Sequence, residues 1–575
     1  TVDGVGEWST ATMGLGHGKD LTLLREMRFP HSLGLLYSAF TQFIGFKVNN
    51  GEYKMMGLAP YGRPIYVQTI LEHLVDLKHD GSLALNLDYF GFLGESRMVN
   101  DRFAELFGGP ARAPESEITR REMDIAASIQ VVTEESMLRM ARSLYTLTGE
   151  QNLCMAGGCA LNCVANGRLL REGPFERIWV QPAAGDAGTA LGTALDAYFT
   201  HFGHQRLVRG ENVAEMRDSY LGPAFGPDEI RAFLETYGYP YEEVPAAERA
   251  GRVAQDIAGG KVVGHFAGRT EFGPRALGSR SILGDARSPE MQSTLNLKIK
   301  FRESFRPFAP AVLAEDVAEW FQLDRPSPYM LFVAGVREDR RIAVSMPEAA
   351  SISEIINTER SDIPAVTHVD YSARIQTVSR ERSKTFYDVI EAFKGLTGCG
   401  VVINTSFNVR GEPIVNTPED AYKCFMKTNM DCLYLENFRL EKPSQPAFAE
   451  SRPAPESQTG MPDALHSLLS TTWQEAVLPA IRKIGLTEQR AFAAGREAAS
   501  MWREITPTAG DPFEVASPDG LAPEAQAAAL LRSWQDTPFT AAMRTILARL
   551  LKTLRLHGLP RDVAEEVPTE IYVMF

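Results

Sequence analysis

The spacing of apolar residues predicts alternating helices and strands in the first part of the chain. Over residues 123–147, apolar side chains recur at helical spacing, which predicts an amphipathic helix that stops at Gly149. A short apolar run at 153–156 predicts a buried strand, and Arg177–Val180 is predicted to form the next strand. A helix is expected after each strand, over residues 162–171 and 187–199. Strand, loop and helix repeated twice is the pattern of an α/β domain, which binds ligands at the ends of its strands.

A second α/β unit is predicted further along the chain. The sequence turns polar over residues 204–213, and this change separates a first domain, 1–205, from a second, 214–445. The second domain has three candidate strands, at residues 261–265, 309–313 and 401–404. Both domains are therefore expected to combine buried strands with helices.

The texture changes again after the second domain. Residues 446–462 are rich in Pro, Ser, Gln and Glu, the composition of a linker. Residues 463–575 are rich in Ala and Leu and are predicted to form a small helical extension. Its helix stripe consists of Met543, Ile546, Leu547, Leu550, Leu551 and Leu554. We interpret this extension as a packing or oligomerisation module rather than a catalytic one, and a homo-oligomer remains open.

Composition and charge narrow the functional classes. The chain has 575 residues, of which 44% are hydrophobic and 23% charged, so a soluble globular protein is expected. Its formal net charge of -14 argues against broad nucleic-acid binding. No apolar run reaches the ~18 residues of a membrane span, and the first residues lack a signal-peptide pattern. The six cysteines form no C-x-x-C pair, which favours buried thiols in the cytoplasm.

One stretch of the acidic chain is strongly basic. Between His265 and Pro310, eight Arg and Lys side chains are opposed by four acidic ones. Three of the arginines, Arg269, Arg275 and Arg280, lie on a loop stiffened by Gly and Pro, which suits a bidentate grip on phosphate or carboxylate. A small anionic ligand explains this patch better than the competing alternative, RNA, because the whole chain is acidic.

Small-residue loops with carboxylates provide a second candidate site. Gly157 and Gly158 precede a helix that begins near Asn162, and Gly185 and Asp186 begin the next one, so a phosphate could approach both. The alternatives are ordinary turns, with Asp186 as a plain N-cap. Asp3 lies in a further small-residue turn, itself either a hairpin turn or a site. Together the two aspartates could hold a divalent cation.

Two polar segments complete the candidates. Residues 404–413 follow a buried strand and could orient a polar ligand, or could serve as turn chemistry alone. Residues 367–377 include His368, which is either a base or an ordinary histidine.

These motifs occur in one order: GEYKMMGLAPYG at 51–62, the two glycine loops, 271–280, 298–310 and 404–413. In this order they closely resemble the O-carbamoyltransferases of antibiotic and nodulation-factor biosynthesis, over about residues 1–445. The resemblance implies an actin/hexokinase-like ATPase-type domain whose front is missing. It also implies an α/β adenylate-forming domain of the type used in tRNA threonylcarbamoyladenosine synthesis. The helical extension stays unassigned.

The resemblance implies a reaction as well. Carbamoyl phosphate and ATP would give carbamoyl adenylate, and the carbamoyl group would pass to a hydroxyl of an antibiotic, secondary metabolite or oligosaccharide. Mg²⁺ would accompany ATP, and a divalent ion such as Fe²⁺ would assist transfer. The residues assigned to these roles are Arg269, Arg275, Lys300, Arg302 and Arg306 for catalysis, Arg374, Asn404, Ser406, Asn408 and Arg410 for substrate, Gly157, Gly158, Asn162 and Gly185 for nucleotide, and Asp3 and Asp186 for metal.

The sequence departs from the family in one respect. The family supplies two metal-binding histidines as H-x-x-x-H upstream of the Asp3 segment, and this sequence contains no such pair. We expect the front of the first domain to be missing, through truncation or a late gene start. One alternative is therefore an impaired nucleotide- or anion-binding scaffold. Another is a phosphotransferase of the actin/hexokinase type, which would release ADP.

Overall fold

The computed structural model describes residues 1–6, 8–94, 97–206, 216–300, 305–344, 352–356 and 358–447. The described residues belong to one compact unit, Thr1–Phe448. The predicted helical extension lies outside the described residues, as do Arg302 and all but two residues of the predicted linker. Within the described part, no helix has the length and apolar character needed to cross a membrane.

The first part of the described unit combines short strands with helices. Its strands are β1 (Ser9–His17), β2 (Asp20–Arg28), β3 (Val75–Leu77), β4 (Leu83–Leu85), β5 (Asn152–Met155) and β6 (Arg177–Val180). Its helices are α1 (Leu33–Phe43), α2 (Glu52–Leu58), α3 (Val67–Thr69), α4 (Asp101–Leu106), α5 (Arg120–Thr148), α6 (Cys163–Glu172) and α7 (Asp186–Asp196). The predicted strand–helix repeat is confirmed, but β5 is buried only at Leu153 and is not the buried strand that was predicted. α5 ends at Gly149, whose φ is 69°.

The first residues of the chain join two separate strand pairs. β1 and β2 form an antiparallel hairpin, and β5 and β6 form a parallel pair. Val2 makes an antiparallel bridge to Ala11 of β1, and its N–H donates to the carbonyl of Ala156 at 3.0 Å. Gly157 follows with a φ of 96°, and a Cβ there would lie 2.1 Å from the Val2 carbonyl oxygen. The close approach at this point therefore requires glycine.

The second part contains a large sheet. Its strands are β7 (Glu242–Glu243), β8 (Val263–Phe266), β9 (Arg280–Asp285), β10 (Ala309–Leu313), β11 (Phe332–Gly335), β12 (Ser372–Val378), β13 (Val401–Ser406), β14 (Cys432–Leu435) and β15 (Phe438–Glu441). Its helices are α8 (Pro227–Tyr237), α9 (Arg249–Ala258), α10 (Met291–Thr294), α11 (Val317–Trp320), α12 (Ile352–Ile356), α13 (Lys384–Thr397) and α14 (Pro418–Lys427).

The nine strands form one mixed sheet in the order β11-β12-β10-β13-β9-β8-β14-β15-β7. The pairs β10–β12 and β8–β14 are parallel, and the other neighbouring pairs are antiparallel. All three predicted strands of this region are present, as β8, β10 and β13. β8, β9 and β10 are buried along their whole length, so the predicted α/β class is confirmed as a mixed α/β fold.

A neutral histidine is enclosed beside this core. The guanidinium of Arg249 donates to Nε2 of His265 at 2.7 Å, and Nδ1 donates to the Gly278 carbonyl at 2.6 Å. Burial, followed by the positive charge of Arg249, lowers the pKa of His265 to about 3. The ring therefore stays neutral in the folded protein at pH values where it would be protonated in the unfolded chain.

This histidine predicts a pH dependence of stability. The unfolded chain binds a proton at His265 below pH ~6.5 and the folded protein does not, so the unfolding free energy falls with decreasing pH. We expect a loss of roughly 1 kcal/mol per pH unit between about pH 6 and 4.5, above the range where most carboxylates titrate. Urea unfolding of the protein and of His265→Gln measures it. The glutamine side chain can still bond to both partners of the histidine. If the unfolding free energy of the variant falls with pH as steeply as that of the parent, the assignment is contradicted.

Candidate functional site

A cavity of about 1710 Å³ opens between the two parts of the described unit. One wall comes from the segments 42–60 and 111–115, and the other from the end of the large sheet and its loops. The structure brings eight of the residues predicted for catalysis and substrate binding to this cavity: Arg275, Lys300, Arg306, Arg374, Asn404, Ser406, Asn408 and Arg410. Residues separated by more than a hundred positions thus share one site.

Two arginines line the cavity without an ion-pair partner among the described residues. Arg275 lies on the loop before β9, and Arg374 lies on β12. The Nε atom of each is buried without a hydrogen-bond partner among the described residues. Burial, and next the positive charge of Arg374, lowers the pKa of Arg275. Two like charges in this arrangement favour an anion that would neutralise them.

Lys300 serves the loop that follows β13. It is 3% exposed, and its ammonium group donates to the carbonyl of Ser406 and to the carbonyl and side-chain oxygens of Asn408, the latter two at 2.9 Å. The Ser406 hydroxyl donates to the same side-chain oxygen at 2.7 Å. The lysine therefore fixes the loop that presents these polar groups to the cavity.

Two further cations connect the walls of the cavity. The guanidinium of Arg306 lies 4.5 Å from the centre of the Tyr53 ring, a cation–π contact. Arg410 forms an ion pair with Glu115. Each contact joins a residue of the second part to one of the first, so both segments are held at the cavity.

The arginine-rich loop divides its side chains among different roles. Of the three arginines on this loop, Arg275 alone lines the cavity. Arg280 is fully buried 3.5 Å from the centre of the Phe266 ring and donates to the carbonyls of Ala267 and Gly268, so it stabilises the loop. Arg269 is exposed and donates to the Leu221 carbonyl at 3.2 Å. The structure does not bring Arg269 to the cavity.

Glu271 organises this loop from inside, which the sequence analysis missed. One of its carboxylate oxygens accepts hydrogen bonds from the N–H groups of Leu277, Ser279 and Arg280 at 2.7, 2.8 and 3.2 Å. Burial raises the pKa of Glu271. Its other oxygen is buried and has no partner among the described residues. The sequence pattern that could have indicated this role is a carboxylate followed by a Gly-rich loop.

Asn404 and His368 line the cavity, and each has one buried polar atom without a hydrogen-bond partner among the described residues. The Asn404 amide group donates to Gln376 at 2.7 Å, while its oxygen has no partner in the described part of the chain. His368 is 6% exposed, and its Nδ1 lies 3.5 Å from a carboxylate oxygen of Asp370. Its Nε2 is likewise buried and unpartnered. His368 is therefore a buried histidine that lines the cavity, rather than a histidine on the outer surface.

The predicted nucleotide loop is held by side chains of the same domain. The Asp3 carboxylate accepts from the N–H groups of Gly4 and Gly158 at 2.7 and 3.0 Å. Asn162 caps α6 through the Ala165 N–H and exchanges amide hydrogen bonds with Gln130 at 3.1 Å. Their nucleotide role stays a prediction.

The predicted metal ligands do not form a metal centre by themselves. Asp186 is exposed and is the first residue of α7, whose cap is Gly185, so the plain N-cap interpretation was wrong. Asp3 is bound to two backbone amides. Across the described residues, no group of three or more His, Cys, Asp or Glu side chains could hold a metal ion. These residues therefore do not fit a metal, and no chemical step is derived through one.

Family models match the two parts of the chain that form the cavity. Residues 1–195 match "Carbamoyltransferase N-terminus" and residues 254–442 match "Carbamoyltransferase C-terminus". The chain belongs to the carbamoyltransferase family. This carbamoyltransferase thus builds its cavity from both family regions, which confirms the resemblance seen in its motifs and identifies it as a carbamoyl-transferring enzyme.

Relatives extend this similarity over most of the carbamoyltransferase. An uncharacterized protein of Synechocystis is 58% identical over 453 residues, which is 77% of this chain and 72% of that protein. The nodulation protein NolO of Bradyrhizobium diazoefficiens is 36% identical over 445 residues, 77% of this chain and 74% of the relative. NolNO of Sinorhizobium fredii is 36% identical over 446 residues, 77% and 60% of the two chains.

We predict that Glu271 holds the arginine-bearing loop in place. Glu271→Ala leaves three backbone N–H groups without their acceptor and should lower the unfolding free energy by about 2–4 kcal/mol. Glu271→Gln retains an acceptor oxygen and should lose less. Chemical denaturation gives the stability, and hydrogen exchange over residues 272–280 reports the loop. Equal stability of the alanine variant and the parent would contradict the assignment.

Proposed function

We propose that this carbamoyltransferase uses carbamoyl phosphate and ATP, forms carbamoyl adenylate, and passes the carbamoyl group to a hydroxyl of a small acceptor. The observation that supports it is that Arg275 and Arg374 both line the cavity and that the buried Nε atom of each lacks a hydrogen-bond partner among the described residues. Carbamoyl phosphate is a compact dianion, which suits two such groups. The cavity volume of about 1710 Å³ leaves room for ATP as well.

The proposed reaction consumes one water. Water cleaves carbamoyl phosphate to carbamate and inorganic phosphate, and a carbamate oxygen then attacks the α-phosphorus of ATP, expelling pyrophosphate. The arginines stabilise the negative charge of the departing phosphate. The acceptor hydroxyl finally attacks the carbamoyl carbon, and AMP leaves. Adenylation helps this last step because AMP leaves with one negative charge fewer than the unprotonated phosphate that carbamoyl phosphate would expel.

The finer assignment of the two parts belongs to the same proposal. We assign the first part to the actin/hexokinase type and the second to the adenylate-forming type. Two observations support this division. Residues 1–3 lie between a hairpin and a parallel strand pair in the first part, and the cationic cavity lies at the end of the large sheet in the second. Antibiotics, secondary metabolites and oligosaccharides remain the proposed acceptors. The impaired scaffold remains a second candidate, because the residues present do not fit a metal.

The products of ATP turnover test the proposal. Purified protein given carbamoyl phosphate and ATP should release phosphate and pyrophosphate in equal amounts and form no ADP. Omission of carbamoyl phosphate is the control and should abolish pyrophosphate release. ADP as the product would favour the phosphotransferase, and binding of both ligands without turnover would favour the scaffold. Coupled pyrophosphate detection and chromatography of the nucleotides distinguish these results.

The two unpaired arginines predict opposite effects on affinity and stability. Arg275→Gln and Arg374→Gln should each weaken carbamoyl phosphate binding about 10–100-fold, because charge-assisted hydrogen bonds contribute roughly 1.5–3 kcal/mol. Without ligand, each variant should melt at the same or a higher temperature, since the repulsion between two half-buried like charges is relieved. Calorimetry measures both effects. Arg337→Gln is the control, because Arg337 is exposed and paired with Asp339. Unchanged affinity in the cavity variants would contradict the binding role.

A further inference from the structure

His368 has the surroundings of a general base. It lies four residues before β12, in a turn closed by its own N–H, which donates to the Ser372 carbonyl at 2.9 Å. The ring packs edge-on against Tyr61, with centroids 5.3 Å apart and planes at 89°. His368, Asp370 and Arg374 all line the cavity. The imidazole is thus held in a fixed position within one short segment that also carries one of the two unpaired arginines.

Asp370 determines which ring nitrogen is available. One of its carboxylate oxygens accepts the Ser372 N–H at 3.0 Å and lies 3.5 Å from Nδ1 of His368. Burial raises the pKa of Asp370, but the interactions with His368 and Ser372 outweigh it and lower the pKa to about 2. An ionised carboxylate beside Nδ1 favours the tautomer with its proton on Nδ1, which leaves Nε2 with a free lone pair.

The free lone pair has no structural partner. Nε2 is buried and makes no hydrogen bond within the described residues. A buried polar atom of this kind costs free energy, and packing against Tyr61 does not recover that cost. A water or substrate atom in the cavity would supply the missing partner. An imidazole with a carboxylate beside one nitrogen and an unpartnered second nitrogen is the arrangement used for proton abstraction.

We propose that His368, positioned by Asp370, is the general base that activates the water for cleavage of carbamoyl phosphate, an inference that rests on the proposed function. Nε2 takes one proton from the water, whose oxygen bonds to the carbamoyl carbon. The bond between that carbon and the bridging oxygen breaks, and phosphate leaves with this oxygen and the electron pair. The leaving phosphate takes the proton from Nε2 and departs as hydrogen phosphate, and the carbamic acid formed ionises to carbamate by releasing its proton to solvent.

Supplying carbamate directly tests the step. Ammonium bicarbonate solutions contain carbamate, which bypasses the cleavage. His368→Gln should release pyrophosphate from ATP at least about 100-fold more slowly than the parent with carbamoyl phosphate. With carbamate it should recover to within about threefold of the parent, and Asp370→Asn should show a smaller loss with the same recovery. His79→Gln, at a solvent-exposed position, is the matched control with unchanged rates. Calorimetric affinity for carbamoyl phosphate shows that the cavity is intact.

The possible results separate the two proposals. A His368→Gln protein that turns over carbamoyl phosphate normally would overturn the base assignment. A folded, ligand-binding variant that is slow with both donors would also overturn it, because the defect would then lie beyond cleavage. If the parent itself releases no pyrophosphate with either donor, the proposed function fails and this inference with it. If the parent is active with carbamate but not with carbamoyl phosphate, the result supports formation of carbamoyl adenylate and contradicts the proposed cleavage step.

Discussion

Electrostatic repulsion between Arg275 and Arg374 is the constraint on which the site depends. Two neighbouring guanidinium groups that form no ion pair with any described residue would separate unless the backbone prevented it. The large sheet fixes Arg374 on β12, between β11 and β10. The loop of Arg275 is held by three hydrogen bonds from its N–H groups to Glu271. It also packs closely on Phe386 at Gly278, where a Cβ would lie 2.3 Å from the Phe386 ring. The stability of the fold is thus partly used to keep these charges together.

The other cations of the cavity perform different tasks. Lys300 donates to the loop after β13, Arg306 contacts Tyr53, and Arg410 pairs with Glu115. Their positive charge still contributes to the field in the cavity, but their geometry is set by protein partners. This division separates groups that build the walls from groups whose donors remain directed at a ligand. A simple count of basic residues does not reveal it.

The sequence predicted elements well where local pattern decides them. The helix ending at Gly149, the strand Arg177–Val180 and the strand at 309–313 match α5, β6 and β10, because periodicity and glycine act locally. It also named eight of the polar residues that line the cavity. It could not distinguish Arg269, Arg275 and Arg280, since the direction of each side chain depends on backbone turns and on Glu271. The unpartnered Nε2 of His368 depends on contacts far apart in the chain and carries no local signal.

The shared construction of the cavity restricts how this enzyme can be recombined. The contact of Arg306 with Tyr53 and the ion pair of Arg410 with Glu115 join two regions of the chain. These regions match separate N-terminal and C-terminal family models. A chimaera that takes one segment from a distant homologue would therefore combine two surfaces that were not selected for each other. Breakpoints for domain shuffling in this family are better chosen outside residues 46–54, 112–115 and 404–413. Transplanting acceptor specificity would require both surfaces to be exchanged together.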